Sequence, residues 1–248
     1  MSPTAYQKGQ ELAAAQNNAA ALIAFEEAFK EEPGNSRAAF GVGLMFQRLG
    51  QHSEAVAAFS EVLRLQPDIG EAYYSRALSF GDMGRHPDAL KDLDKALELR
   101  SDYVDATYAR GVTLKKLDRF EEACGEFSKV LSQAGHYPPA SHGRATIRSA
   151  MGDYVGAIED FTNCIAQGLD SYGVRLLRGL AFHYIGRHAE AIEDLSRAIS
   201  FRPEDGSTYI RRWLVYKALG DEVRAAEDFQ VGNKLLDLST ESESPSSS

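Results

Sequence analysis

The sequence predicts an all-α protein, a solenoid built from consecutive helix-turn-helix hairpins. Three observations lead to this prediction: a fixed repeat length, an alanine present in every copy, and an aromatic residue or leucine four positions after that alanine. The repeat is 34 residues long and runs without an insertion from residue 2 to residue 239, which gives seven copies. Each hairpin can bury its apolar side only against its neighbours, so we expect the copies to share one continuous core.

The apolar residues recur at fixed places, counted from the first residue of each copy. Place 20 is Ala21, Ala55, Ala89, Ala123, Ala157, Ala191 and Ala225. Place 24 is Phe25, Phe59, Leu93, Phe127, Phe161, Leu195 and Phe229. Place 27 is always small or compact: Ala28, Val62, Ala96, Val130, Cys164, Ala198 and Gly232. Residues three and four apart share one face of a helix, so these places predict the apolar stripe of a second helix.

The copies span residues 2–35, 36–69, 70–103, 104–137, 138–171, 172–205 and 206–239. The first is the most degenerate, with Gln16 and Asn17 where later copies have a turn glycine. The second and third follow the pattern closely, and Pro87 stands at a helix start, where its missing N–H has little effect. The fourth ends in Ser132–Pro139, which has a glycine and a double proline. We expect this segment to be the weakest joint in the array.

The later copies depart from the pattern at single positions. Arg148 stands at place 11 of the fifth copy, where the copies on either side have an apolar residue. Trp213 fills place 8 of the seventh copy, where the others have glycine or alanine, so the two helices should approach less closely there. The segment 240–248 is rich in serine and glutamate and has no large apolar residue, which predicts a disordered tail.

The pattern resembles the tetratricopeptide repeat (TPR) family. The resemblance covers nearly the whole chain, and it implies a right-handed superhelical solenoid that acts as a non-catalytic scaffold or adaptor for other proteins. In the sixth copy it is carried at places 8, 11, 15, 20, 24, 27 and 32 by Gly179, Phe182, Gly186, Ala191, Leu195, Ala198 and Pro203.

The resemblance also implies a concave groove, lined by places 2, 5, 6, 9, 12 and 13 of each first helix, that holds a peptide or helix of a partner. Place 5 is aromatic in the first four copies, histidine in the fifth and aliphatic in the last two. An alternative interpretation is that these rings only pack against neighbouring helices. The implied groove residues are Phe40, Leu44, Glu71, Tyr74, Leu78, Asp82, Tyr108, Val112, Lys115, Lys116, His142, Leu176, Leu180, His183, Ile210, Arg211, Leu214 and Lys217.

Charged residues form a second recurring pattern. Arginine stands at place 7 of the last five copies and an acid at place 23 of the same copies, whereas the first two copies have Ala24 and Ala58 at place 23. Place 23 flanks the helix-helix seam, so we expect each arginine to pair with the acid of its own copy rather than to recruit an acidic partner. The five pairs are Arg76 with Asp92, Arg110 with Glu126, Arg144 with Asp160, Arg178 with Asp194, and Arg212 with Asp228.

Composition argues against several classes of function. The net charge of −9 includes no basic stripe, so nucleic acid is not an expected partner, and no apolar run is long enough to insert in a membrane. No secretory signal precedes the first copy, which favours the cytoplasm or the nucleus. We find no catalytic motif and expect no cofactor and no metal, because Cys124 and Cys164 lie 40 residues apart and Cys164 takes a buried place. His52, His86 and His188 share place 17 and are expected to be packing residues.

Two other functions stay open at this stage. The last copy has no further repeat to cover it, so the chain could self-associate into a homo-oligomer through that end. The array could also be the docking region of a larger enzyme or complex.

Overall fold

The computed structural model describes the backbone of residues 3–242 and the side chains of residues 3–238. This part of the chain forms fourteen α-helices and contains no strand, so the all-α fold class is confirmed. It divides into two compact units, Met1–Gln133 and Ala134–Ser248. The division falls within Ser132–Pro139, the joint that the sequence indicated as the weakest, and each unit is described separately below.

The first unit contains eight helices. They are α1 Ala5–Ala14, α2 Asn18–Glu31, α3 Ser36–Arg48, α4 His52–Leu65, α5 Gly70–Asp82, α6 His86–Leu99, α7 Val104–Lys116 and α8 Phe120–Ala134. The second unit follows with α9 Pro138–Ala150, α10 Tyr154–Ala166, α11 Tyr172–Tyr184, α12 His188–Phe201, α13 Gly206–Leu219 and α14 Glu222–Ser242. From α3 onward, every first helix begins at the first residue of a predicted copy and every second helix begins at place 17.

The turn between the helices of each hairpin is made by one left-handed residue at place 15. Five copies use glycine there, for example Gly50 with φ +73° and Gly186 with φ +77°. The first and fourth copies place Gln16 (φ 59°) and Asp118 (φ 57°) in the same conformation. Glycine adopts this conformation without a steric penalty, whereas other residues do not. The turn of the first copy therefore keeps the same geometry, but Gln16 adopts it with backbone strain that glycine would not have.

The core of each hairpin follows the predicted stripe. All seven place-20 alanines are at most 1% exposed. Glycine at place 8 lets the first helix touch the place-24 ring, because a Cβ on Gly43 would lie 2.6 Å from the Phe59 ring. In the last hairpin Trp213 occupies place 8 and its ring centroid lies 5.2 Å from that of Phe229. Phe229 is 44% exposed there.

The five arginine–acid pairs are confirmed. Their closest nitrogen–oxygen distances are 2.7 Å for Arg76–Asp92, 2.8 Å for Arg110–Glu126, 2.6 Å for Arg144–Asp160, 2.6 Å for Arg178–Asp194 and 2.8 Å for Arg212–Asp228. Arg76, Arg110, Arg178 and Arg212 also donate to a side chain at place 25 of the preceding copy, a contact that the sequence pattern did not predict. Those acceptors are Ser60 at 3.0 Å, Asp94 at 2.7 Å, Thr162 at 3.0 Å and Ser196 at 2.8 Å.

Arg148, which interrupts the apolar pattern of the fifth copy, is held by polar partners. Its Nη1 lies 3.0 Å from Asp160 and 3.2 Å from the carbonyl oxygen of Gly156, and its Nε lies 3.5 Å from Asp153. A buried or half-buried guanidinium is stable only when its donors are satisfied. The charge is therefore accommodated within its own hairpin.

The last helix is longer than the others. It continues through residues 240–242, the first three residues of the segment that the sequence predicted to be disordered. The rest of that segment, 243–248, lies outside the described residues.

Candidate partner-binding site

Six of the eighteen residues expected in the groove meet in one cavity of the first unit. The cavity is about 310 Å³ in volume and lies between α5, α6 and α7. The first helices of two successive hairpins, α5 and α7, form its two walls. Each wall contributes residues four apart along its helix, and such residues share one helix face. The six residues are Tyr74, Leu78 and Asp82 from α5 and Tyr108, Val112 and Lys116 from α7.

The two tyrosines serve the core and the cavity at once. Both are partly buried, and the Tyr74 ring centroid lies 5.0 Å from that of Tyr103 while Tyr108 lies 5.7 Å from Phe127. Burial, with the nearby Asp105 carboxylate, raises the pKa of Tyr74 to about 12. Burial also raises the pKa of Tyr108. Each ring therefore packs on one side against a neighbouring aromatic residue and lines the cavity on the other.

Charges of opposite sign stand on opposite walls of this cavity. Asp82 ends α5 and Lys116 ends α7, and both side chains are exposed. They occupy the same place in successive copies, so both lie at the C-terminal ends of their helices. His52 approaches the Asp82 wall, with its Nδ1 3.6 Å from the carboxylate.

A second recess in the same unit holds two more of the expected residues. Phe40 and Glu71 line a space of about 210 Å³ together with Tyr6, Arg37 and Ile69. The Phe40 ring also packs on Phe59, with centroids 5.4 Å apart.

The remaining two expected residues of the first unit line neither space. Leu44 packs against the core cluster that contains Phe25 and Met45. Lys115 is partly buried, one residue before the cavity residue Lys116.

The expected residues on α9 and α11 are tied into local packing. The His142 ring lies 6.1 Å from Phe161, edge to face. Leu176 packs against the cluster that contains Phe182 and Leu195, and Leu180 is partly buried. His183 contacts another imidazole, with its Nδ1 3.3 Å from Nδ1 of His188.

The expected residues on α13 differ in exposure. Ile210 is partly buried and packs tightly against α14 at Gly232, where an added Cβ would lie 2.7 Å from Ile210 Cδ1. Arg211 and Leu214 are exposed, and Lys217 is paired with Glu222 at 2.8 Å.

The cavity also contains residues that the sequence analysis did not select. Gly81, Thr113 and Leu93 line it, and so does His86, which was expected only to pack. Gly81 stands at place 12, one of the implied groove places, so the register could have identified it. Leu93 belongs to the core stripe, and no pattern in the sequence indicates that its side chain reaches the cavity.

The part of the chain that the structure describes also bears on membrane and metal binding. No helix within 3–242 is both long and apolar enough to cross a membrane. In the same part of the chain, no three histidine, cysteine or acidic side chains are grouped as ligands for a metal ion.

Seven consecutive helical hairpins with a cavity between successive first helices define a helical repeat protein. One tetratricopeptide repeat family model matches residues 6–69 and 142–206, and a second matches residues 70–103. Together with the fold, these matches show that the chain belongs to the tetratricopeptide repeat family. The family assignment supports a role as a scaffold for protein–protein interactions, as is general for these largely non-catalytic proteins. No curated protein matches the sequence.

Several solved structures have a fold similar to that of this chain. The type IV pilus biogenesis factor PilW is 22% identical with a TM-score of 0.69, over 80% of this chain and 92% of its own. A tetratricopeptide repeat protein from Parabacteroides merdae is 20% identical with a TM-score of 0.67, over 93% and 91%. YrrB, described as having an unusual peptide-binding site, is 19% identical with a TM-score of 0.65, over 72% and 92%. At these identities the similarity concerns the fold alone.

Proposed function

We propose that the protein is a non-catalytic scaffold that holds a peptide or helix of a partner protein in the cavity between α5, α6 and α7. The observation that carries this proposal is the convergence of Tyr74, Leu78, Tyr108 and Val112 on one space of about 310 Å³. Partly buried aromatic and aliphatic side chains around a concave space are typical of sites that bind apolar anchors. YrrB, which shares the fold, has a peptide-binding site of its own.

The charges on the cavity walls select the orientation of the partner. Asp82 and Lys116 lie at the same end of neighbouring helices, so a segment that meets both must cross the helices rather than run along them. Its basic residue would face α5 and its acidic residue would face α7. Burial of the apolar anchors supplies most of the affinity in such a site, and charges at the rim mainly set direction and association rate.

Replacing the tyrosines by alanine is a useful test but an ambiguous one. The Tyr74 ring contacts Tyr103 and the Tyr108 ring contacts Phe127, so their loss weakens the core as well as the cavity. Gly81 offers a cleaner change, because an added Cβ there would meet no atom within 4 Å. The substitution Gly81→Leu fills the cavity from inside α5 without removing any packing contact. Gly125→Leu is the matched control, since Gly125 is equally open but lies on α8 away from the cavity.

The experiment selects binders from a random 12-residue peptide library on the parental protein and measures their affinities for each variant. We expect Gly81→Leu to weaken peptides that occupy the cavity by about tenfold or more, and Gly125→Leu to leave them unchanged. The double substitution Tyr74→Ala with Tyr108→Ala should weaken the binding free energy of these peptides by roughly 2 kcal/mol or more in total, with helicity preserved. Equal affinity of every selected peptide for the parent and Gly81→Leu would contradict the proposal.

A charge exchange tests the orientation. In the double variant Asp82→Lys with Lys116→Asp, a peptide selected on the parental protein should lose affinity. The same peptide with its basic and acidic residues exchanged should regain it. If both peptides respond alike, the walls do not orient the partner.

The last hairpin supports a second candidate function, self-association. Phe229 is 44% exposed, whereas the equivalent Phe59 is 0% exposed, and Val223 and Leu219 on the same hairpin are 72% and 51% exposed. Exposed apolar surface of this kind is typical of an interface. Sedimentation equilibrium of the parent and of Val223→Asp tests it: an oligomer that the substitution dissociates supports this function, and a parental monomer at high concentration contradicts it.

A further inference from the structure

The first unit has a second concave space on a different face, between α2, α3 and α4. It is about 520 Å³ in volume and open to solvent, and we call it the α2–α4 recess. Its floor is apolar and is made by Phe29, Pro33, Ala39, Val42 and Ala58. Val42 stands two residues from Phe40 and from Leu44, which is about 200° around the helix, so the recess lies on the side of α3 opposite the implied groove.

The same unit contains an equivalent recess in which the ladder arginine and acid are present. It lies between α6, α7 and α8, has a volume of about 540 Å³, and is lined by the same places of the repeat. Arg110 stands there at the place of Val42, and Glu126 at the place of Ala58. The two form an ion pair at 2.8 Å. The α6–α8 recess is therefore polar and internally satisfied, and the α2–α4 recess is the exception.

The apolar character extends onto the outer surface of α2. Ile23, one residue before the place of the ladder acids, is 58% exposed. The third, fifth, sixth and seventh copies have a charged residue there: Lys91, Glu159, Glu193 and Glu227. Ile23 stands three residues before the recess residue Glu26, on the same face of α2, and exposed apolar side chains near a recess are typical of protein interfaces.

At the rim of the recess, the carboxylate of Glu26 has no ladder arginine opposite it, because place 7 of the following copy is Val42. Glu26 and Glu27 are both exposed on α2, and the first copy as a whole has five glutamates against two lysines. Glu26 takes the place of Asp94, which in the other recess accepts a hydrogen bond from Arg110 at 2.7 Å. Lys30 also lines the recess, and Glu61 is neutralised by Arg64 at 2.7 Å.

We propose that the α2–α4 recess is a second docking site, which takes a segment of a partner protein that carries a large apolar side chain with an arginine or lysine beside it. The apolar side chain enters the space over Val42 and Ala58. The basic residue pairs with Glu26, as Arg110 pairs with the equivalent carboxylate in the neighbouring recess. This site is independent of the cavity between α5 and α7.

The repeat itself supplies the variant that closes the recess. Val42→Arg with Ala58→Asp introduces the ion pair that five other copies contain, with Glu26 available as the third partner. The variant should fold, because the same residues occupy the same places in those copies. Glu26→Lys is the second variant, and since Glu26 is exposed it reverses the charge of this one rim residue without a change in the core.

The experiment selects 12-residue peptides from a random library on the parental protein, in the presence of excess Val42→Arg/Ala58→Asp variant in solution. We expect the surviving peptides to contain a large apolar residue next to arginine or lysine. They should bind the double variant about tenfold or more weakly and Glu26→Lys several-fold more weakly. Their affinity for Gly81→Leu should equal that for the parent, which separates this site from the cavity of the proposed function.

Three outcomes would overturn the proposal. The first is a selection that yields no peptide able to distinguish the parent from the double variant. The second is a set of surviving peptides that are acidic, or that bind Glu26→Lys as well as the parent. The third is a parental dimer in sedimentation that the double variant abolishes, because the recess would then hold a second copy of this chain.

Discussion

The pair formed by Arg76 and Asp92 gives the most direct test of how the hairpins are stabilised. Two parallel hydrogen bonds of 2.7 Å join the guanidinium to the carboxylate, and Ser60 accepts a third at 3.0 Å. The Arg76 side chain is 20% exposed and that of Asp92 is 9% exposed. The acid therefore depends on its partner more than the arginine does. We expect the two single substitutions to differ in cost for this reason.

The replacements are those that the second copy contains at these places, valine for arginine and alanine for the acid. Arg76→Val leaves a nearly buried carboxylate without its partner and should lower the free energy of unfolding by about 2–3 kcal/mol. Asp92→Ala leaves the guanidinium hydrogen-bonded to Ser60 and partly accessible to water, so it should lower the free energy of unfolding by about 1–2 kcal/mol. The double variant removes both charges together and should cost only about 1 kcal/mol. The coupling between the two substitutions is then about 2 kcal/mol or more.

Urea unfolding followed by circular dichroism gives the free energy of global unfolding. Hydrogen exchange of the α5 and α6 amides gives the free energy of local opening of this hairpin. Both are needed because an array of two units need not unfold in one step. Arg76→Val combined with Glu122→Ala is the control, since Glu122 pairs with Arg119 instead, and that combination should be additive. If the Arg76–Asp92 cycle is additive to within about 0.5 kcal/mol, the pair does not contribute as its geometry indicates.

Four further predictions follow from single positions. Gln16→Gly should raise the free energy of unfolding by about 1 kcal/mol, measured by urea, because the turn residue has φ 59°. Gly43→Ala should lower it by about 1–3 kcal/mol, because the new Cβ would lie 2.6 Å from the Phe59 ring. Burial would raise the pKa of Asp205, but hydrogen bonds from three hydroxyl groups outweigh it and hold that pKa at about 2. The unfolded value is about 3.9, so this stabilisation is present above pH about 4 and is lost as the pH falls towards 2. Asp205→Asn should abolish that part of the acid transition in a melting series. Deletion of 243–248, which contains no large apolar residue, should leave the melting temperature unchanged.

The sequence predicted the hairpins well because each helix boundary is set locally. Places 1 and 17 begin helices and place 15 takes the left-handed turn, whether it holds Gly50 or Gln16. The pairing of Arg76 with Asp92 was predictable for a related reason: the two places recur together, and the copies that lack one lack the other. A fixed period turns one hairpin's geometry into that of every copy.

What the sequence did not indicate depends on contacts between copies or on irregular positions. The third partner of the ladder arginines, such as Ser60, lies in the preceding copy and has no common residue type. Arg148 interrupts the apolar pattern, but its partners lie in its own hairpin: Asp153 caps the start of the next helix and Asp160 lies within it. The resemblance implied the same groove places in every copy. In the structure, six of the implied groove residues line one cavity, where Gly81 leaves room.

The distribution of the ladder has a consequence for surface as well as for stability. A buried ion pair is often no more stabilising than apolar residues of similar volume, so stability alone does not explain why five copies carry the pair and two do not. The difference is in the outer surface: Arg110 and Glu126 make it polar, and Val42 and Ala58 make it apolar. A copy with the ladder pair presents little that an apolar segment could bind. The absence of the pair at Val42 and Ala58 therefore leaves the α2–α4 recess apolar, which is the property that the proposed docking site requires.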